Sequence, residues 1–133
     1  MGQEAPPIKG SNSMFDFKVE PISDSIAVVE VAGDLNDSTQ DYFFDYISDH
    51  LDDKGTPHLI IECAKIGFVS SAGMAAMLRA RKSVKKRGSK IYFTHLNSTI
   101  TTALEVTKLN GLLAIYSTTK ELIAKLEKNS ISD

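Results

Sequence analysis

The sequence predicts an α/β domain: an opening hairpin, then a largely parallel sheet, the whole mixed β-sheet backed by about four helices. Three observations carry this. Two strand-like runs follow one another between residues 15 and 32, separated by Pro21-Ile22-Ser23-Asp24. After residue 33, short apolar runs alternate with stretches of helical periodicity, the pattern of strand–helix–strand units. The chain has 133 residues, 42% of them apolar and 24% charged. A single domain of that size buries roughly two-thirds of the surface its unfolded chain exposes, and needs no disulfide or metal to fold.

The elements follow in order. Residues 1–13 hold prolines, glycines and serines with little to bury, and a disordered arm is expected there. The domain is expected over residues 14–128. Phe15, Phe17 and Val19 alternate with Asp16, Lys18 and Glu20, which is strand periodicity. Residues 26–32 form a β-branched second strand, the hairpin partner of the first. Gly33-Asp34-Leu35-Asn36-Asp37-Ser38 ends that strand and opens a helix whose apolar positions are Phe44, Ile47 and Leu51. Gly55-Thr56-Pro57 stops it, and His58-Leu59-Ile60-Ile61-Glu62-Cys63 is a buried strand. A helix over about 71–87 ends at Gly88. Residues 90–95 form the next strand, and Asn97 or Ser98 caps a helix to about Thr107, closed by Asn110-Gly111. A strand over 112–116 leads into a last helix, opened by Ser117 or Thr118 and running to about Lys128. Residues 129–133 are expected to fray.

The richest stretch is Phe68-Val69-Ser70-Ser71-Ala72-Gly73-Met74, which joins the buried strand to a small-residue helix. Two hydroxyls stand where that helix starts. A hydroxyl there caps the helix, or receives a phosphate that the exposed N–H groups and the helix dipole favour. Gly73 in the first turn costs helix stability, which fits a position that something must approach closely.

This strand, Ser-Ser-Ala-Gly turn and Ala-rich helix resemble STAS domains, in particular bacterial anti-sigma factor antagonists. The resemblance spans about residues 15–126. Gly33-Asp34-Leu35-Asn36 resembles the family's Gly-Glu-Leu-Asp turn, with Asn36 in place of the usual aspartate. Lys86-Arg87-Gly88-Ser89-Lys90-Ile91 is similar to its basic turn into the next strand, and Leu104-Glu105-Val106-Thr107-Lys108-Leu109 to its Leu-Glu-Leu-Thr-Gly-Leu stretch. The resemblance implies a STAS-like single domain that works as a phosphorylation-controlled partner switch. It implies that the unphosphorylated form binds an anti-sigma factor, a serine kinase with a histidine-kinase-like ATPase fold, and displaces the sigma factor. Phosphorylation of Ser71 would abolish binding, and a PP2C-type phosphatase would restore it. Ser70, where many members carry aspartate, is the alternative acceptor. The expected binding residues are Gly33, Asp34, Leu35, Asn36 and Asp37 with Ser70, Ser71, Ala72, Gly73 and Met74. The alternative is a non-switching STAS subunit of a stress-signalling scaffold or of a lipid-transport ATPase complex.

Other features of the sequence admit plainer readings. Asp37, Asp41, Asp45, Asp49 and Asp53 recur every four residues along the first helix, as a solvated acidic face or an attraction for a basic partner or divalent cation. Carboxylates one turn apart form a line and not a cage, so no metal is expected. Arg79, Arg81, Lys82, Lys85, Lys86, Arg87 and Lys90 make a basic run without interleaved aromatic residues, in a chain of net charge −2, so nucleic acid is not expected. That run can pair with the acidic helix or with an acidic patch on a partner. Tyr42, Phe43, Phe44 and Tyr46 crowd the first helix, some as core and one or two as interface anchors. His50, His58 and His95 show no metal-ligand spacing with each other or with Cys63. Cys63 is read as a small buried side chain.

There is no phosphate-cradling glycine motif, and Val69 stands where a nucleophile elbow needs glycine, so Ser71 reads as a substrate and the chain as no enzyme, with no cofactor. No apolar run is long enough to span a bilayer and no signal-peptide core is present, so a cytoplasmic protein without direct membrane insertion is expected.

Overall fold

A computed structural model describes residues 15–128, with the side chains of 50–54 excepted. The arm expected over 1–13 and the fraying tail over 129–133 lie outside the described residues. The described chain runs β1 (Phe15–Pro21), β2 (Ile26–Gly33), α1 (Gln40–Lys54), β3 (His58–Lys65), α2 (Ser71–Lys86), β4 (Lys90–Thr94), α3 (Ser98–Val106), a 3-10 turn (Leu109–Gly111), β5 (Ile115–Tyr116) and α4 (Thr119–Glu127). The strands lie side by side in chain order in one sheet. β1 and β2 pair antiparallel, and every later pair is parallel, as the hairpin-then-crossover reading requires.

Alternation sorts the strand residues onto two faces. Ala27, Val29 and Val31, with Leu59, Ile61, Cys63, Ile91 and Phe93, face the main core under α1, α2 and α3. Ile26, Val28, Ile60 and Tyr92 face the other way, where Leu122 of α4 covers them. Each fully buried Val, Leu or Ile contributes roughly 1.5–3 kcal/mol. β3 is central and buried on both faces, which is why it reads as an unbroken apolar run.

Several boundaries moved for local reasons. α1 begins at Gln40, because residues 36–39 form a turn of their own, so Asp37 stands outside the helix. The inward positions of α1 are Phe43 and Ile47; Phe44 is half-buried with the Arg79 guanidinium 4.5 Å above its ring. Tyr42 and Tyr46 pack on the hairpin, and Tyr46 stacks on Phe17 with centroids 3.9 Å apart. Phe43 is buried and the other three aromatic side chains are half-buried, none fully exposed as the expected anchors would be. Asn97, not Ser98, caps α3, and Thr118, not Ser117, caps α4. β5 is two residues long instead of five, since only Ile115 and Tyr116 register with β4; ahead of it Lys108 turns left-handed and residues 109–111 coil into the 3-10 turn.

Candidate functional site

The Ser-Ser turn is built by contact with a loop from far upstream. Leu35 forms an isolated parallel bridge with Val69. Its N–H donates to the Phe68 carbonyl at 2.9 Å, and its carbonyl accepts from the Ser70 N–H at 2.9 Å. Leu35 is buried. The approach is close enough to explain Gly73: a Cβ there would lie 2.9 Å from the Leu35 carbonyl carbon and 3.0 Å from its Cγ, and would overlap the carbonyl oxygen. What approaches the first turn of α2 is therefore the chain's own backbone.

The loop holding Leu35 is itself fixed. Gly33 has φ 118, a conformation other residues rarely adopt. Thr39 Oγ1 donates to the Asp34 carbonyl at 2.8 Å and accepts from the Asn36 N–H at 2.9 Å. Asn36 Oδ1 accepts from the Ser38 N–H at 2.9 Å. Asn36 thus closes a local turn, the ordinary task of asparagine in such loops. Asp34 and Asp37 stay exposed, and the Asp34 carboxylate lies against Gly67, where a Cβ would stand 3.5 Å from Oδ1. From the other side Asn97 Nδ2 donates to the carbonyls of Gly67 and Ile66 at 3.3 and 3.4 Å.

The two serines have different tasks. Ser70 is the N-cap, with extended backbone, and its Oγ accepts from the Gly73 N–H at 3.1 Å. Ser71 is the first helical residue and is exposed. No acidic residue of α2 itself stands in its first turn, where the helix dipole favours an anion. Ala72 is half-buried, whereas Gly73 and Met74 are buried; with Leu35 they shape the surface from beneath and cannot offer side chains to it.

Two exposed apolar residues lie outside the binding set the sequence suggested. Phe68 is 50% exposed and Val106 is 74% exposed. Phe68 stands two residues before Ser70 in chain order. Val106 ends α3, whose cap residue Thr107 touches the Met74 sulfur of α2 at 4.0 Å. An apolar residue one or two positions from a turn gives no periodicity signal, so nothing in the sequence distinguished these two from core.

The remaining candidates are dispersed. Asp41 pairs with Arg79 at 3.2 Å, Asp45 and Asp49 are exposed, and the Asp53 side chain lies outside the described residues. Arg87 donates to the Ser48 carbonyl at 3.1 Å, so part of the basic run does meet α1. His58 Nδ1 bonds the Tyr92 hydroxyl at 2.8 Å, and His95 Nε2 accepts from the Thr119 N–H at 3.2 Å. The His50 side chain lies outside the described residues. Burial, with the Glu62 charge adding to it and a hydrogen bond to the Thr94 backbone opposing it, pushes the Cys63 thiol up to about 12. Among the described residues no cluster of His, Cys, Asp and Glu is arranged to hold a metal, and no helix is long and apolar enough to cross a membrane.

The sequence model of the STAS domain matches residues 18–122. Solved structures share the fold at low identity. SpoIIAA, the anti-sigma factor antagonist and Bacillus cell fate determinant, matches in its unphosphorylated form with 15% identity and a TM-score of 0.70, over 85% of this chain and 97% of that one. Its phosphorylated form matches with 15% identity and a TM-score of 0.63, over 84% and 99%. An anti-sigma factor antagonist from Mycobacterium paratuberculosis matches with 18% identity and a TM-score of 0.73, over 85% and 94%. A sulfate transporter family protein from Wolinella succinogenes matches with 17% identity and a TM-score of 0.68, over 83% and 89%. No curated protein sequence matches the chain significantly.

Proposed function

The chain belongs to the STAS domain family, and from that premise we propose that it is a partner-switching regulator controlled by phosphorylation of Ser71. In its unphosphorylated form it binds an anti-sigma factor that is also a serine kinase with a histidine-kinase-like ATPase fold, and so releases that protein's target. A PP2C-type phosphatase resets it. The chain is a binding module and not an enzyme, and it works in the cytoplasm. Likeness to SpoIIAA, solved in unphosphorylated and phosphorylated forms, supports this reading.

The observation that carries the choice of Ser71 is the division of labour between the two hydroxyls. Ser70 is engaged as the cap and Ser71 is exposed beside it. A phosphate on Ser71 adds roughly −1.5 to −2 charges at neutral pH. The domain tolerates it, because an anion at a helix N-terminus gains about 0.3–1 kcal/mol. A partner surface packed over the turn does not, unless it offers a cation, and the exposed Asp34 and Asp37 add to the negative field. The binding face comprises the Gly33, Asp34, Asn36 and Asp37 loop, Ser70, Ser71 and Ala72, shaped by Leu35, Gly73 and Met74. Phe68 and Val106 give it apolar contact area.

The test uses Ser71→Ala and Ser71→Glu chains as paired baits in native lysate. The Ala form is expected to retain a small ATPase kinase that the Glu form does not, while both unfold within about 0.5 kcal/mol of the parent. If both baits retain the same scaffold or transporter subunits, the switch falls. The non-switching STAS subunit, a reading favoured by the shared fold of the Wolinella transporter family protein, then takes its place.

A further inference from the structure

The sheet has an open edge beside a basic groove. β5 registers only with Phe93 and Thr94, leaving the first half of β4 without a strand neighbour on that side among the described residues. Main-chain direction along β4 is fixed by its bonds. Phe93 N–H donates to the Ala114 carbonyl and His95 N–H to the Ser117 carbonyl, on the β5 side, whereas Lys90 N–H donates to the Pro57 carbonyl, on the β3 side. Alternation therefore turns the Ile91 N–H and C=O towards the β5 side, where no described residue pairs with them. Ile91 is buried at the base of a groove of about 380 Å³, walled by Arg81, Lys85, Lys90, Tyr92 and Ala114.

Among the described residues no carboxylate lines this groove. Arg81 and Lys85 stand one helical turn apart on α2, and neither ion-pairs with a described residue. Their neighbours in the basic run face elsewhere, Arg79 to Asp41 and Arg87 to the Ser48 carbonyl. Like charges at this spacing repel along a helix face, a repulsion that an anion between them relieves. Cations on a sheet edge repel basic strands and are desolvated without compensation by neutral ones, which leaves an acidic strand as the best-matched neighbour.

We propose that the groove at the free edge of β4 binds an extended acidic segment of a partner protein. The segment would add to the sheet at Ile91, with its carboxylates against Arg81 and Lys85. The main chain decides between this and a small anion: an anion satisfies the Ile91 N–H but not its C=O, whereas an extended peptide satisfies both. This site is separate from Ser71 and does not depend on the switch reading.

Recognition here rests on main-chain bonds and charge, so a generic acidic strand is a sufficient probe. Fluorescein-labelled Ser-Glu-Val-Glu-Ile-Glu-Val-Asp-Ser is titrated against the full chain by fluorescence anisotropy. Two counterparts are run beside it, one N-methylated through its central residues and one with lysine for every acidic residue. Binding of the acidic peptide is expected to weaken about tenfold or more with either counterpart and with the Arg81→Gln/Lys85→Gln chain. Hydrogen exchange of the Ile91 amide is expected to slow on saturation by about tenfold or more. Absence of binding overturns the proposal, as does equal affinity for the N-methylated peptide. Binding of inorganic pyrophosphate that displaces the peptide while the Ile91 amide stays unprotected would make the groove a small-anion site and would overturn it too.

Discussion

Replacing Gly73 by alanine sets two effects of opposite sign against each other. In an exposed helix interior the change stabilises by about 0.8–1 kcal/mol, because glycine loses more backbone freedom on folding. Here the new methyl meets the Leu35 carbonyl, with its carbon at 2.9 Å and Leu35 Cγ at 3.0 Å. Both neighbours belong to a buried residue held by two 2.9 Å hydrogen bonds, so the loop cannot withdraw without breaking them. Overpacking of that kind costs about 1–3 kcal/mol, and each hydrogen bond lost adds about 0.5–1.5 kcal/mol. The clash therefore wins, with a net loss of about 1–3 kcal/mol, or roughly 4 °C in Tm per kcal/mol for a domain of this size. Urea unfolding followed by circular dichroism reads the difference, with Gly111→Ala as control. Gly111 has no atom within 4 Å of an added Cβ, and the control should be neutral or gain about 0.4–1 kcal/mol. A Gly73→Ala protein as stable as the parent would refute the argument that the Leu35 backbone demands glycine.

Three further outcomes follow from the same geometry. Ser70→Ala should lose about 1 kcal/mol with the cap, whereas Ser71→Ala should stay within about 0.5 kcal/mol of the parent; thermal melts of the pair separate them. The Cys63 thiol, buried and raised to about 12, should resist iodoacetamide at pH 8 in the native protein and react once urea unfolds it. Because this group keeps its proton longer when folded, its contribution to stability is intact below the unfolded thiol pKa and is lost as pH rises from there towards about 12. The Arg79–Asp41 pair, 3.2 Å apart and solvent-exposed at Asp41, should give a coupling of about 0.2–1 kcal/mol in a double-mutant cycle that shrinks in high salt.

What was legible in the sequence and what was not divides along the range of the interactions concerned. β2 and β3 announce themselves, because β-branched runs reflect burial of the segment itself. The capping of α2 by one of two serines was equally plain, since a cap is a contact between near neighbours. Which serine caps was not, because Ser70 and Ser71 are chemically identical and only the backbone turn distinguishes them. The reason for Gly73 was also hidden: its counterpart, Leu35, lies 38 residues earlier, in the loop that follows the neighbouring strand β2. The expected aspartate stripe lost Asp37 for a comparable reason, since Thr39 closes a turn on Asp34 and Asn36 that delays the helix. β5 was overread because its length depends on how much of β4 its neighbour covers, which no local pattern encodes.

The bridge between Leu35 and Val69 has a bearing on recognition kinetics. Loops that wander separately must each be ordered when a partner arrives, at about 0.5–1.5 kcal/mol for every side chain immobilised. Here the loop around residues 34–37 and the turn around residues 68–71 are laced together by main-chain bonds before any partner is present. On the proposed reading they form one preorganised surface, and a partner docking there would be spared the cost of ordering the two segments separately.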